Sequence, residues 1–314
     1  MSWQDEAVSL RKEGLSIRET ARKLGVPYST LWDFLQEKAP KQRTNFKSKQ
    51  DIVQINTTRF SEGPTIVFLP DAQVKPCVDT EYLRCQGEFL ASKKPDVIVC
   101  AGDFADMPSL SSYDKGKKIF EGRRIQKDIE AAIDGMNTLL LPVHHAQQED
   151  PYWKPRMVLT LGNHEQRLQR HVEANPELSG FLGYDNLRYR EFGWEVYDYL
   201  EPVEIGGVTF IHYWPNAFTG KPLGGSAASI LKTVGTSIVQ GHKQMLDVAT
   251  RTLHNGVNQW SIIAGASYDF DEEYKGFTGN KHWRGIVVMH NVKNGGFDPL
   301  FVSTDYLKER YASS

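Results

Sequence analysis

Residues 97–106 read VIVCAGDFAD: five apolar positions, a glycine, then two aspartates at Asp103 and Asp106. A short β-branched run bounded by glycine and polar residues is the pattern of a buried strand. Four further stretches repeat it. Residues 65–73 (TIVFLPDAQ) run into Asp71 and Gln73, and residues 157–165 (MVLTLGNHE) into Asn163 and His164. Residues 208–212 (VTFIH) end on His212, and residues 236–244 (TSIVQGHKQ) run into His242 and Gln244. Ligands at strand ends share one rim of a sheet, so polar residues distant in sequence converge there. Helical patterns over residues 80–93 and 117–141 separate the first strands, and the chain turns strand-rich after Val203. This alternation predicts an α/β (α+β) fold.

The order of these polar residues resembles the calcineurin-like metallophosphoesterase family, whose pattern is D-x-H, G-D-x-x-D, G-N-H-[DE], a lone His and G-H-x-H. The likeness spans Asp71 to Gln244 and rests on the ordered set, since each piece alone is weak. The stretch GDFADMPSLSSYDKGK over residues 102–117 is similar to phosphoesterases encoded by bacteriophages. The resemblance implies a four-layer sandwich, two β-sheets flanked by helices, with two divalent cations at the strand ends. It also implies hydrolysis of a phosphoester by a metal-bound hydroxide. Two cations about 3.5–4 Å apart can clamp phosphate oxygens and lower the pKa of a water between them. By family position Asp103 bridges the cations, and Asn163, His212 and His242 complete one site. His164 then faces the leaving-group oxygen as general acid, with Asp106 fixing its tautomer.

The other site departs from the family. Its ligands by position are Asp71, Gln73, Asp103 and Gln244, with glutamine where the family has histidine. An amide oxygen is a harder, neutral and weaker ligand than imidazole, so an oxygen-only set favours Mn²⁺ or Mg²⁺. The histidine-containing site also admits Zn²⁺ or Fe. The expectation is an asymmetric pair, one tight site and one labile; the opposing reading is a degenerate, inactive centre. His144, His145, His171, His254, His282 and His290 fall outside the pattern and read as surface or structural residues. The pair Arg123–Arg124 reads as exposed helical arginines, with contact to substrate phosphate as the lesser alternative. Lys243 reads equally as a screen for phosphate charge or a solvated lysine, and Trp194, Trp214, Trp260 and Trp283 as packing residues. Cys77, Cys85 and Cys100 match no zinc module or disulfide set and read as small core residues.

The N-terminal segment has a different character. Residues 1–50 hold ten basic and six acidic side chains, a charge of +4 against −2 for the whole chain, so the remainder carries −6. Residues 5–37 read as three short helices, with a capping box at Ser16 and Glu19 and an inward face of Ile17, Ala21 and Leu24. The stretch LSIRETARKLGVPYSTLWDFL (residues 15–35) resembles the helix-turn-helix of resolvases, invertases and transposases. By that resemblance Tyr28, Ser29, Thr30 and Trp32 face DNA bases at the start of the third helix. The alternative is a three-helix docking module. Residues 38–50 (KAPKQRTNFKSKQ) carry five positive charges and no negative one, and read as a basic linker.

The expected organisation is a helix-turn-helix domain over residues 1–37, a linker over 38–60 and the phosphoesterase domain over 61–314. Hydrophobic residues at 40% exclude wholesale disorder, and the near-neutral total excludes a protein that coats DNA. With no apolar run of membrane length and no signal-peptide core, the expectation is a cytoplasmic protein, in the host cytoplasm if phage-encoded. The expected partner is DNA or another phosphoester substrate, with no membrane; the sequence carries no signal for an oligomeric state. A DNA phosphodiesterase or nuclease is the first functional reading. The others are a phosphatase or phosphodiesterase for nucleotides or phosphoproteins, and a DNA-binding protein with a catalytically weak scaffold.

Overall fold

The computed structural model describes residues 2–12, 17–27, 30–31, 63–112, 116–272 and 275–312. The chain divides into two compact units, Met1–Asn56 and Thr57–Ser314.

In the larger unit the period of two along each strand sorts side chains between two cores. Ile66 and Phe68 of β1 (Ile66–Leu69) and Val97 and Val99 of β2 (Val97–Cys100) point into one apolar cluster; Val67, Leu69, Ile98 and Cys100 point into another. The first cluster also takes Val208 and Phe210 of β6 (Val208–Ile211), Val239 of β7 (Ser237–Gln240) and Ile262 of β9 (Asn258–Ala264). It is the seam between two sheets. The second cluster is filled by Leu83, Phe89 and Leu90 of helix Glu81–Lys93 and by Met136, Leu139 and Val143 of helix Ile125–Glu149. On the far side, helix Ala227–Val234 packs Ala227 and Ile230 against Ile211, Ile238 and Ile263. The result is two mixed sheets, face to face, flanked by helices.

Sheet order places the functional rim. The six-stranded sheet runs β11 (Gly296–Ser303), β10 (Gly285–Lys293), β1, β2, β3 (Arg156–Thr160), β4 (Glu195–Tyr197), with β1 to β4 parallel. The five-stranded sheet runs β5 (Val203–Ile205), β6, β7, β9, β8 (Leu246–Thr252), with β6, β7 and β9 parallel. Pairing of Leu69 with Cys100, Cys100 with Leu159, and Ile211 with Gln240 aligns the strand ends, so the residues that follow emerge at the same level.

Three expectations need correction. The helical pattern expected over residues 117–141 is a 3₁₀ turn, Lys118–Phe120, followed by a helix that starts at Ile125 and runs through Pro142 to Glu149. An interior proline costs about 3 kcal/mol, but Met136, Leu139, Leu140 and Val143 are buried, each worth roughly 1.5–3 kcal/mol. Arg123 and Arg124 consequently precede the helix, where Arg123 donates to the Pro108 carbonyl at 2.8 Å. Cys77 is exposed rather than in the core, because it lies in the turn after β1, beyond the strands that bury Cys85 and Cys100.

In the smaller unit, helices Trp3–Lys12 and Ile17–Leu24 bury Ala7 and Ala21 against Leu31, with Trp3, Leu24 and Val26 at the margin. Gly25 turns the chain at φ +65°, and the Pro27 carbonyl accepts the Leu31 amide at 3.1 Å. Thr30 is exposed. Ser16, Tyr28, Ser29 and Trp32, the rest of the expected third helix and the linker over 38–60 lie outside the described residues. Among the described residues no helix is long and apolar enough to cross a membrane.

Candidate metal centre

The rim is built from backbone that L-residues seldom adopt. Asp71 (φ 26°), Gln73 (47°), Asp103 (49°), His242 (68°) and Gln244 (55°) all take positive φ. Each such residue costs of order 1–3 kcal/mol, and such strain concentrates at functional sites. Glycine makes the close approaches possible. A Cβ on Gly162 would lie 2.2 Å from Asp103 Oδ1, and one on Gly241 would lie 2.3 Å from Asp71 Oδ1. The glycines of the G-N-H and G-H stretches are therefore there to let a carboxylate in.

Asp103, His212 and His242 bring one ligand atom each within 4.8 Å of one another. His212 is fully buried; its Nδ1 lies 2.7 Å from the Ala101 carbonyl, an acceptor, so this nitrogen carries the hydrogen. In the neutral ring Nε2 is then bare, yet it sits 2.9 Å from Asn163 Oδ1 and 3.3 Å from Asp103 Oδ2. Three acceptors facing one another need a positive charge between them. Burial opposes charge on His212, but Asp103 outweighs it, with Asp71 in support, and the imidazole pKa is pushed up to about 9. On His242 burial prevails, aided by repulsion from His212, and lowers its pKa to about 4. Burial raises the Asp103 carboxyl, but His164 and His212 outweigh that and hold it well below the usual carboxylate range. One carboxylate, one amide oxygen and two imidazoles fit a first-row divalent cation.

Beside this set, His164 Nδ1 lies 2.7 Å from Asp106 Oδ1, and Nε2 lies 3.6 Å from Asp103 Oδ2. Burial works against a charged His164, but Asp103 and the Asp106 bond outweigh it and raise its pKa. Arg167 closes the group, donating to the Asp106 carbonyl at 2.7 Å and lying 3.1 Å from His164 Nε2. His164 opens into a cavity of about 370 Å³ that Asp103, Asn163 and His242 also line.

The glutamine side is arranged otherwise. Asp71 Oδ1 accepts the His242 amide at 2.9 Å, while Oδ2 is buried without a hydrogen-bond partner among the described residues. Burial above all pushes the Asp71 carboxyl up to about 7. Gln73 donates its backbone N–H to the Asp103 carbonyl at 2.8 Å, and its side-chain Nε2 is buried without a partner there. Gln244 Oε1 accepts from Tyr268 Oη at 3.1 Å and from Lys275 Nζ.

All seven expected ligand positions thus lie on one rim, with the His164–Asp106 pair beside them. Sequence reasoning missed Glu165, Arg167, Tyr268 and Lys275. Glu165 is fully buried and accepts the amides of Asp103 (2.9 Å), Ala105 (2.9 Å) and Gly162 (3.0 Å) and the Tyr189 hydroxyl (3.2 Å). It ties two rim loops together. Its signal was the acidic fourth position of G-N-H-[DE], read only as a pattern match. Of the residues set aside, His144 and His145 are exposed near the end of their helix, and Lys243 is bonded to the Gly225 carbonyl.

A family model, helix-turn-helix, Psq domain, matches residues 6–43. The chain is similar to the Gene 54 protein of Mycobacterium phage D29, with 26% identity over 247 residues, 76% of this chain and 92% of the relative. It is likewise similar to the Gene 54 protein of Mycobacterium phage L5, with 27% identity over the same shares of both chains. The likeness to bacteriophage proteins and the helix-turn-helix reading are both met by these matches. A solved crystal structure aligns with 77% of this chain and 99% of its own at 11% identity, with a TM-score of 0.38, too low to infer a shared fold.

Proposed function

We propose that the larger unit is a divalent-metal-dependent phosphoesterase of the calcineurin-like kind, built as that family's four-layer sandwich, and that its substrate is a phosphodiester bond in DNA. The observation that carries this reading is the convergence of Asp103, Asn163, His212 and His242 beside the His164–Asp106 pair, with Asp103, Asn163, His164 and His242 lining one cavity. A divalent cation on those four residues would supply Lewis acidity toward a phosphoryl oxygen and toward water. The chain's own residues supply the rest. Asp106 holds Nδ1–H of His164 and so aims Nε2 at the cavity. There Nε2, which accepts from Arg167 in the free chain, would carry a proton to the leaving oxygen once the guanidinium turns to the phosphate. Arg167 offers a second positive group beside it for a non-bridging oxygen. Glu165 fixes the backbone on which Asp103 and His164 stand. Support for DNA comes from the Psq-type match over residues 6–43 and from the five positive charges between residues 38 and 50.

Hydrolysis of bis-p-nitrophenyl phosphate in Mn²⁺ tests the reaction; absence of turnover above the metal-only rate sinks it. Digestion of labelled DNA by the full chain, set against the chain lacking residues 1–50, tests the substrate. The deletion is expected to cut DNA turnover while leaving the small diester unaffected. If both are unaffected, DNA is the wrong substrate. Binding should also weaken with salt, with log K falling about 0.9 per phosphate contacted for each unit of log[salt].

A further inference from the structure

On the glutamine side of the centre the acceptors already face a positive charge that belongs to the chain. Lys275 enters just before the helical turn Gly276–Gly279, and its Nζ donates to Gln244 Oε1 and to Tyr268 Oη, the latter at 2.5 Å. It lines the same cavity as Asp103, Asn163 and His242. Burial above all lowers the Lys275 pKa, with Glu272 and Asp71 opposing that shift, and Glu272 is itself engaged by Lys75 at 2.6 Å.

The decisive point is the capacity of one atom. An amide carbonyl oxygen offers two lone pairs. Gln244 Oε1 uses one on the Tyr268 hydroxyl and one on the Lys275 ammonium. It has none left for a metal ion. Gln73, the other glutamine expected as a ligand, is buried with its donor nitrogen unpartnered among the described residues. Of the three positions beyond Asp103 that a second ion would need, Gln244 is taken, and Asp71 Oδ2 is a buried oxygen without a hydrogen-bond partner among the described residues. With Gln244 taken, a dication on the remaining oxygens would sit beside an ammonium and a neighbouring cation, both of which repel it.

We propose that Lys275 takes the place of a second cation: the centre holds one divalent ion, on Asp103, Asn163, His212 and His242, and the Lys275 ammonium is the other positive charge facing the substrate phosphate. The proposal rests on the cation site of the phosphoesterase reading. It assigns Gln244 a physical role, since its carbonyl oxygen accepts from the ammonium. Charge on this side is then independent of the metal concentration.

The test is the ion count of the full-length chain by equilibrium dialysis against Mn²⁺ followed by metal analysis, with electron paramagnetic resonance to detect a spin-coupled pair. The wild type is expected to bind one Mn²⁺ per chain with an uncoupled signal. Lys275→Met, which frees Gln244 and removes the charge, is expected to raise the count toward two and produce a coupled signal, while Lys275→Arg stays at one. Two coupled ions in the wild type overturn the proposal and leave the phosphoesterase reading standing. A count of one in both the wild type and Lys275→Met also overturns it, because Lys275 is then not what excludes the second ion. No bound ion in any form overturns the cation site itself, and this proposal with it. Should Lys275→Met fail to fold, Lys275→Gln, which also removes the charge, takes its place in the comparison.

Discussion

On one side of Asp103 stand Asn163, His212 and His242; on the other stand Asp71, Gln73 and Gln244. Both groups occupy ends of aligned strands, both rest on positive-φ backbone, and both have a glycine that lets a carboxylate approach. They differ in how their negative and acceptor groups are balanced. The histidine side sets the His212 Nε2, an amide oxygen and a carboxylate facing one another. That arrangement takes a positive charge, either a proton on His212 or, as we propose, a cation from solution. The glutamine side takes an ammonium from the same chain. Neighbouring sites of similar construction can thus solve one electrostatic problem in two ways, and the choice rests on two side chains at the strand ends.

The largest expected effect separates the two sides. His242→Ala or Asp103→Asn should weaken Mn²⁺ binding by at least about 100-fold, since ligand loss should exceed the 10–100-fold typical of second-shell changes, whereas Gln244→Ala should change it less than about tenfold; isothermal calorimetry reads both. Equal losses would erase the distinction. His164→Asn should lower turnover by roughly 10²–10⁴-fold, the usual worth of a positioned acid, with the bound Mn²⁺ per chain unaltered. A large loss of metal there would move His164 into the ligand set. Glu165→Ala strands three buried amides and should cost about 3 kcal/mol or more, seen as a lower Tm in thermal unfolding. A Tm within a degree of wild type would mean water replaces the carboxylate. The smallest effects come from Gly162→Ala and Gly241→Ala, each expected to cost roughly 1–3 kcal/mol by overpacking. Only the former, which presses on Asp103, should weaken Mn²⁺ binding; if Gly241→Ala does so equally, Asp71 shares the ion.

The strands and their polar ends were legible because burial on both faces demands unbroken apolar runs, and the residue after such a run must lie at a rim. VIVCA and TIVFL could be little else. Convergence across two sheets was legible only through the ordered resemblance, since no local pattern says that His212 will meet Asp103. Lys275 was not legible at all: it sits 31 positions beyond Gln244 in a polar stretch with no periodicity, and its partner is fixed by tertiary placement. Arg167 was hidden for a related reason, as an arginine in the first turn of a helix looks solvated until His164 and Asp106 are seen beside it. The stretch through Pro142 failed differently. Local propensity says stop, and the buried leucines around it overrule that.

The seam between the sheets carries one last consequence. Asp103 and Asn163 belong to loops of the six-stranded sheet, His212 and His242 to loops of the five-stranded one. An ion shared by all four would be a rivet through two layers that otherwise adhere by the greasy contact of residues such as Phe68 and Phe210, 6.0 Å apart, and by a few polar bonds such as that from the His242 amide to Asp71. Adding Mn²⁺ should then slow amide exchange deep in β1 and β6, far from any bound phosphate, because shearing one layer past the other would first have to pull the rivet.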